Sequence, residues 1–399
     1  MLQQYDRFLS DEELSRLQIR GERLSDKSIL TVNTAKDGGG VAQILKTLIP
    51  MLRDVGVDID WKVIDAPESF FDVTKQFHNG LQGEEINLSE QQKHRYQDVN
   101  STFWEGLEEK YDFYLVQDPQ PCALIRHIDS APAVLRLHMD LSQPDSTTWA
   151  YLQPFISSYD ETIVSKATYY HDDLNIPYRV IPPATDPFTA INQPMKEEEA
   201  ASLVRERVGQ TQHLISQVSR FDKWKDPQGV INVFEKVHSE KECSLILLGS
   251  DADDDPEGQM IYEKTLKRAK QSPYQEDITV IMENNASLVN AVQRHSDVVL
   301  QKSLREGFGL TVSEAMLKAT AVAASDVGGI PRQIEHGKTG FLHEPRNHDA
   351  FANTITNLLD DEEMKTLVGE RAATHVKNNF LMTRLLDQYL SLFEDYLLN

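Results

Sequence analysis

Residues 28–65 read SILTVNTAKDGGGVAQILKTLIPMLRDVGVDIDWKVID. The apolar run Ile29–Val32 has strand character and stops at polar residues and three glycines, Gly38, Gly39 and Gly40. Apolar residues then recur at helical spacing as far as Leu52, and DIDWKVID follows as a second strand. Strand, glycine loop, amphipathic helix and strand in this order predict one βαβ unit, because parallel strands need a crossover connection.

The same alternation continues outward. YDFYLVQD and PAVLRLHMD each end an apolar run in polar residues, as strands that feed a ligand-binding edge do. An acidic helical leader, Asp11–Leu24, precedes the unit, and Phe70–Lys110 reads as polar and helical. RVIPPATDPFTAINQPMKEEEA combines Pro182, Pro183, Pro187 and Pro194 with an acidic run and reads as the linker. Beyond it come HLISQVS, a helix around 229–238, CSLILLGS, a helix over 259–270, ITVIM, a helix around 288–294, DVVLQKS, a further helix and AVAASD. The predicted fold class is α/β, with two Rossmann-like doubly wound domains and a cleft between them. The expected boundaries are 1–185, 186–380 and a C-terminal helix, 381–399, that packs back on the first domain. At 399 residues two cores are the natural expectation.

Composition narrows the function classes. With 40 Lys and Arg against 63 Asp and Glu, the net charge is −23, which argues against a nucleic acid or an anionic membrane as partner. A salt-rich cytoplasm would favour such acidity, and an ordinary acidic enzyme shows it equally well. No apolar run is long enough to span a bilayer, and the polar N-terminus carries no export signal, so a cytoplasmic protein is expected. Cys122 and Cys243 lie far apart in apolar surroundings and read as reduced core thiols.

REGFGLTVSEAM, residues 305–316, resists a purely structural reading. It places Glu306 before a helix start near Thr311 and Glu314 about one turn inside. A helix start offers free N–H groups and the positive end of a dipole, which suit a phosphate, while two carboxylates suit neutral hydroxyls. The bland alternative makes Glu314 a solvated helix residue and the glycines a turn. Arg220 and Lys225, in SRFDKWKDPQG, stand between a strand and a helix and could neutralise a diphosphate; a solvated basic loop is the competing reading. Gly38–Gly40 match neither G-x-G-x-x-G nor a Walker loop. His138 ends a strand, where an enclosed core histidine is the commoner outcome.

Taken together, these segments resemble the GT4 family of retaining GT-B glycosyltransferases over nearly the whole chain. EGFGLTVSE looks like that family's E-x7-E motif, SRFDKWK like its diphosphate clamp and GGGV like its N-terminal glycine loop. GGGVAQILKTLIPML, FFDVTKQFHNGLQG, VQDPQP, RLHMDLS and DDDPEG are similar to the trehalose glycosyltransferring synthase subgroup, which in turn resembles fungal-type trehalose phosphorylases. The resemblance implies α-glucosyl transfer, with retention, from a nucleoside diphosphate glucose to a small hydroxyl acceptor. The product would be a compatible solute: trehalose from glucose, or glucosylglycerol from glycerol. It implies that Glu306 binds the donor sugar's hydroxyls, Glu314 the ribose, and Arg220 and Lys225 the diphosphate. Gly307, Phe308, Gly309, Leu310 and Thr311 would complete the donor site at the helix start. Gly39 and Gly40 would offer N–H groups, His138 would hydrogen-bond the glucose, and Gly38, Asp118 and Gln120 would face the acceptor. The implied partners are the NDP-glucose and a small polyol or sugar, with a homodimer allowed and no cofactor or essential metal. A trehalose phosphorylase, a glycoside hydrolase and a catalytically silent nucleotide-sugar sensor remain as rivals.

Overall fold

The structure, a computed structural model, describes residues 1–36, 39–249 and 256–398. The chain forms two compact units, Met1–Ala184 together with Met382–Asn399, and Thr185–Leu381. Each contains a six-stranded, all-parallel sheet.

In the first unit the strands are β1 (Ser28–Asn33), β2 (Asp58–Val63), β3 (Phe113–Gln117), β4 (Ala133–Leu137), β5 (Glu161–Val164) and β6 (Tyr178–Val180), in the order β2-β1-β3-β4-β5-β6. The helix Gly39–Asp54 crosses from β1 to β2, so residues 28–65 form the βαβ unit read from the sequence. β3 and β4 are buried along their whole length, which accounts for their continuous apolar runs. Helices Glu68–Leu81 and Glu90–Glu105 replace the single helical stretch expected over 70–110. Ser89 opens the second with a capping box closed by Gln92.

The second unit has β7 (Leu214–Val218), β8 (Ser244–Gly249), β9 (Ile278–Met282), β10 (Val298–Gln301), β11 (Ala321–Ser325) and β12 (Phe341–His343), in the order β12-β11-β10-β7-β8-β9. The acidic run at 197–199 belongs to this unit rather than to a linker. Glu197, Glu198 and Glu199 form the first turn of the helix Glu197–Val208, where negative charge meets the positive end of the helix dipole. Thr185 N–H donates to Phe380 O at 2.7 Å, tying together the two segments by which the chain enters and leaves this unit.

The helix Met382–Leu397 belongs to the first unit. Leu385, Leu386, Tyr389, Leu390 and Phe393 are buried, on the order of 2 kcal/mol of apolar transfer each. Arg20 pairs with Asp387 at 2.5 Å and Glu394 at 2.7 Å, and Arg384 donates to the carbonyls of Pro182 and Pro183, both at 2.7 Å. Ending the chain at Leu381 should therefore lower the melting temperature and deprotect β1 and β3 in hydrogen exchange while β7 and β10 stay protected. Equal deprotection of both sheets would contradict this division of the chain.

Candidate functional site

In an all-parallel sheet every strand points its carboxyl end to the same edge, and ligands bind where the strand order reverses. In the second unit the chain runs from β7 out to β9 and then returns to β10 on the other side of β7. The reversal lies between β7 and β10, which are paired directly. The loop after β7 carries Arg220 and Lys225, and the loop after β10 carries Glu306.

Lys225 and Glu306 meet there. The Lys225 ammonium donates to Glu306 Oε2 at 2.5 Å, with both side chains largely enclosed, and Ser303 Oγ donates to the same oxygen at 3.1 Å. The paired loops are held by more than this contact. Leu304 N–H donates to Trp224 O at 2.7 Å, and the Trp224 ring lies 5.0 Å from the Arg305 guanidinium and 5.2 Å from the Lys223 ammonium. Arg220 differs from Lys225: its side chain is 55% exposed, and its ion pair is with Asp222 at 3.8 Å. The structure thus joins Lys225 to Glu306 and leaves Arg220 open to solvent.

The helix start expected near Thr311 lies at Leu310, in the helix Leu310–Leu317. Gly309 is its N-cap, with φ of 82°, a left-handed conformation that favours glycine, and has no side chain with which to cap the helix. Buried Gln333 fixes this loop by donating to Phe308 O at 2.5 Å and accepting from Ser313 Oγ at 2.5 Å. The ring of Phe308 sits in a core cluster with Val299, Val312 and Ile330, so Phe308 can offer a ligand only its backbone. Glu314 is 4% exposed, which rules out the solvated-helix reading. One turn on, Lys318 donates to Asn192 Oδ1 at 2.6 Å and Gln293 Oε1 at 2.8 Å. Burial lowers the pKa of its ammonium, and the nearby Glu314 charge acts against that shift.

In the first unit the strand order reverses between β1 and β3. The glycine loop follows β1 and the Asp118–Gln120 segment follows β3. Gly38 lies outside the described residues; Gly39 opens the helix Gly39–Asp54, and Gly40 is exposed. Asp118 adopts φ of 68°, and its Oδ1 accepts the His138 N–H at 2.8 Å. Burial pushes the Asp118 carboxyl up to about 6, against that hydrogen bond and the nearby charge of Arg136. Gln120 Oε1 is buried and finds no partner among the described residues. His138 Nε2 lies 2.9 Å from Gln117 Oε1, so the neutral ring donates through Nε2 and keeps Nδ1 as an acceptor. Tyr389, on the helix that returns to this unit, hydrogen-bonds the Gln117 side chain.

Sequence reading missed Gln217, Asp226, Lys302 and Gln333. The KDPQG string carried one legible signal, since Asp followed by Pro marks a helix N-cap and first position, and Asp226 caps the helix Pro227–His238. Among the described residues no group of three or more His, Cys, Asp or Glu could hold a metal ion, and no helix is long and apolar enough to cross a membrane.

Two family profiles divide the chain. Trehalose synthase, N-terminal domain, matches residues 31–171, and glycosyl transferases group 1 matches residues 201–375. The trehalose synthase of Thermococcus litoralis is 41% identical over 401 residues, covering 99% of this chain and 97% of that protein. The chain belongs to the trehalose synthase family of group 1 glycosyl transferases. The Rubrobacter xylanophilus trehalose synthase is 39% identical over 98% of this chain and 96% of its own length. A trehalose phosphorylase of Pleurotus pulmonarius is 28% identical over 87% of this chain and 54% of its own length. Sucrose-phosphate synthase from Thermosynechococcus elongatus shares the GT-B fold, with a TM-score of 0.74 at 17% identity over 92% of this chain and 99% of that one.

Burial, reinforced by the charge of Arg136, drives the His138 pKa well below its ordinary value. The unfolded chain takes up this proton below about pH 6.5 while the folded chain does not, so the residue withdraws stability as pH falls through that value. NMR of ring-labelled protein should show a His138 Nε2–H tautomer that does not titrate between pH 8 and 5.5. A midpoint near 6.5 would contradict the enclosed, neutral assignment.

Proposed function

We propose that this member of the family is a retaining α-glucosyltransferase that moves glucose from a nucleoside diphosphate glucose to a small hydroxyl acceptor, making trehalose from glucose or glucosylglycerol from glycerol. The observation that carries the reading is the Lys225–Glu306 pair at the strand-order reversal of the second unit, beside a helix start whose N-cap is a glycine.

The chemistry follows from where charge develops. As the anomeric C–O bond of the donor breaks, the sugar becomes oxocarbenium-like and negative charge moves onto the leaving diphosphate. Exposed Arg220, Lys225 and the N–H groups at Leu310 and Thr311 stabilise that charge. Lys225 exchanges its carboxylate partner for phosphate, which frees Glu306 to accept hydrogen bonds from glucose hydroxyls. His138 Nδ1 accepts from another glucose hydroxyl, and Glu314 serves the ribose. The acceptor oxygen bonds to the anomeric carbon on the face that the diphosphate leaves, and its proton passes to a diphosphate oxygen. We assign Asp118 and Gln120 to the acceptor; Gln120 Oε1 is buried without a partner among the described residues.

Incubation with a panel of NDP-glucoses and acceptors, read by NMR for product and by nucleotide release, tests the reading. An α-linked disaccharide or glucosylglycerol with stoichiometric NDP supports it. Glucose 1-phosphate formed from trehalose and phosphate without nucleotide would replace it with a phosphorylase, and nucleotide-sugar binding without turnover would leave a sensor.

The residues separate by role. Lys225→Ala and Arg220→Ala should each lower kcat/KM more than tenfold, on the order of 2–4 kcal/mol of transition-state stabilisation. Glu306→Gln should lower kcat more than it weakens NDP binding, and Glu314→Ala should do the reverse, since ribose contacts persist in the product complex. Calorimetry of NDP binding beside turnover rates decides this. A hydrolase would need both carboxylates for turnover and neither for nucleotide affinity.

A further inference from the structure

Beside the Lys225–Glu306 pair lies a second pair of opposite charges, whose cation is fully buried and whose carboxylate is partly exposed. The side chain of Lys302, the first residue beyond β10, is fully buried, and its ammonium pairs with the Asp226 carboxylate. Asp226 directly follows Lys225, adopts φ of 46°, and uses its other oxygen to accept the Gly229 N–H at 3.1 Å. Gly229 permits this close packing: a Cβ there would lie 2.1 Å from Asp226 Oδ2 and 2.4 Å from Lys302 Nζ. Gln217, near the end of β7, completes the knot. Its Oε1 accepts the Lys302 N–H at 3.0 Å, and its Nε2 donates to Lys225 O at 3.0 Å.

Two links therefore fix the backbone of Lys225 to the end of β10: Gln217 through the Lys225 carbonyl and Asp226 through the next residue, both ending on Lys302. The Glu306 carboxylate is held separately by Ser303 Oγ. A buried ion pair is a weak source of net stability, because desolvation offsets most of the attraction, and an apolar replacement often serves the fold as well. Its geometry is harder to replace.

We propose that Lys302 and Asp226 are positioning residues for the transfer reaction, a staple between the two loops that sets where the Lys225 ammonium stands, with neither residue touching the substrate. This rests on the assignment of Lys225 to the donor diphosphate. It also divides the work of the two neighbouring strand ends: Lys225 and Glu306 carry the chemistry, and Lys302 with Asp226 carries the registration.

The test is a four-member set: wild type, Lys302→Met, Asp226→Asn and the double variant, each followed by thermal melting and by kcat and KM for the NDP-glucose. Asp226→Asn leaves the fully buried Lys302 ammonium without its carboxylate and Lys302→Met leaves the half-buried Asp226 without its cation, and each should lose both melting temperature and activity, Asp226→Asn the more. The double variant removes both charges and keeps the oxygen that caps the helix Pro227–His238. It should regain a melting temperature close to wild type while kcat stays at least tenfold down. In a Lys225→Ala background the double substitution should cost less than twofold more, because the group it positions is already gone. Recovery of kcat together with stability, a double variant that remains unstable, or a full additional tenfold loss in the Lys225→Ala background would each overturn the positioning role. Wild-type activity of Lys225→Ala itself would dispose of the diphosphate assignment, whereas an impaired Lys225→Ala beside a fully active double variant disposes of the staple alone.

Discussion

The pairing of β7 with β10 is the constraint on which the second unit's chemistry depends. These strands are neighbours only because the chain reverses its direction of travel across the sheet after β9. That reversal brings the loops at 219–226 and 302–309 together and lets a lysine meet a glutamate 81 positions away in sequence. Parallel order supplies the rest, since both loops leave from carboxyl ends and the helix Leu310–Leu317 points its N-terminus back at the same edge. The pair of fully buried Lys302 with Asp226 joins the same two loops a second time.

Charge balance explains why the site looks as it does before substrate arrives. An acidic protein with net charge −23 would gain little from an unpaired cation held against its sheet edge, and a lone glutamate there would repel a diphosphate. The Lys225–Glu306 contact sets the lysine directly against a carboxylate at the strand ends. Glu314, by contrast, is buried in the helix near Lys318. In the first unit, burial and the charge of Arg136 favour the neutral form of the His138 ring.

Much of this architecture was legible in the sequence because parallel, doubly covered strands are long apolar runs that end abruptly in polar residues. β1, β3, β4, β7, β8 and β10 all have that form. β5, β6 and β12 escaped notice: β6 and β12 have only three residues each, and the four of β5, ETIV, are half polar and form no apolar run. Glu306, Lys225 and the helix start were found because charge and glycine at a strand end are visible locally. Lys302 and Gln217 were not, since nothing in a string such as LQKS tells a buried lysine from an exposed one, and its partner lies 76 positions earlier. The acidic run at 197–199 misled for the opposite reason: the glutamates that open a helix look, in sequence, like those of a linker.

The most direct test of the account is a crystal structure with an NDP-glucose, or with NDP and a non-transferable glucose analogue, read at Lys225 and Glu306. The account requires the ion pair to separate, with Lys225 Nζ and the Arg220 guanidinium on diphosphate oxygens, Glu306 on glucose hydroxyls and the phosphate over the N–H groups of Leu310 and Thr311. A nucleotide sugar bound elsewhere while Lys225 remains on Glu306 would contradict it.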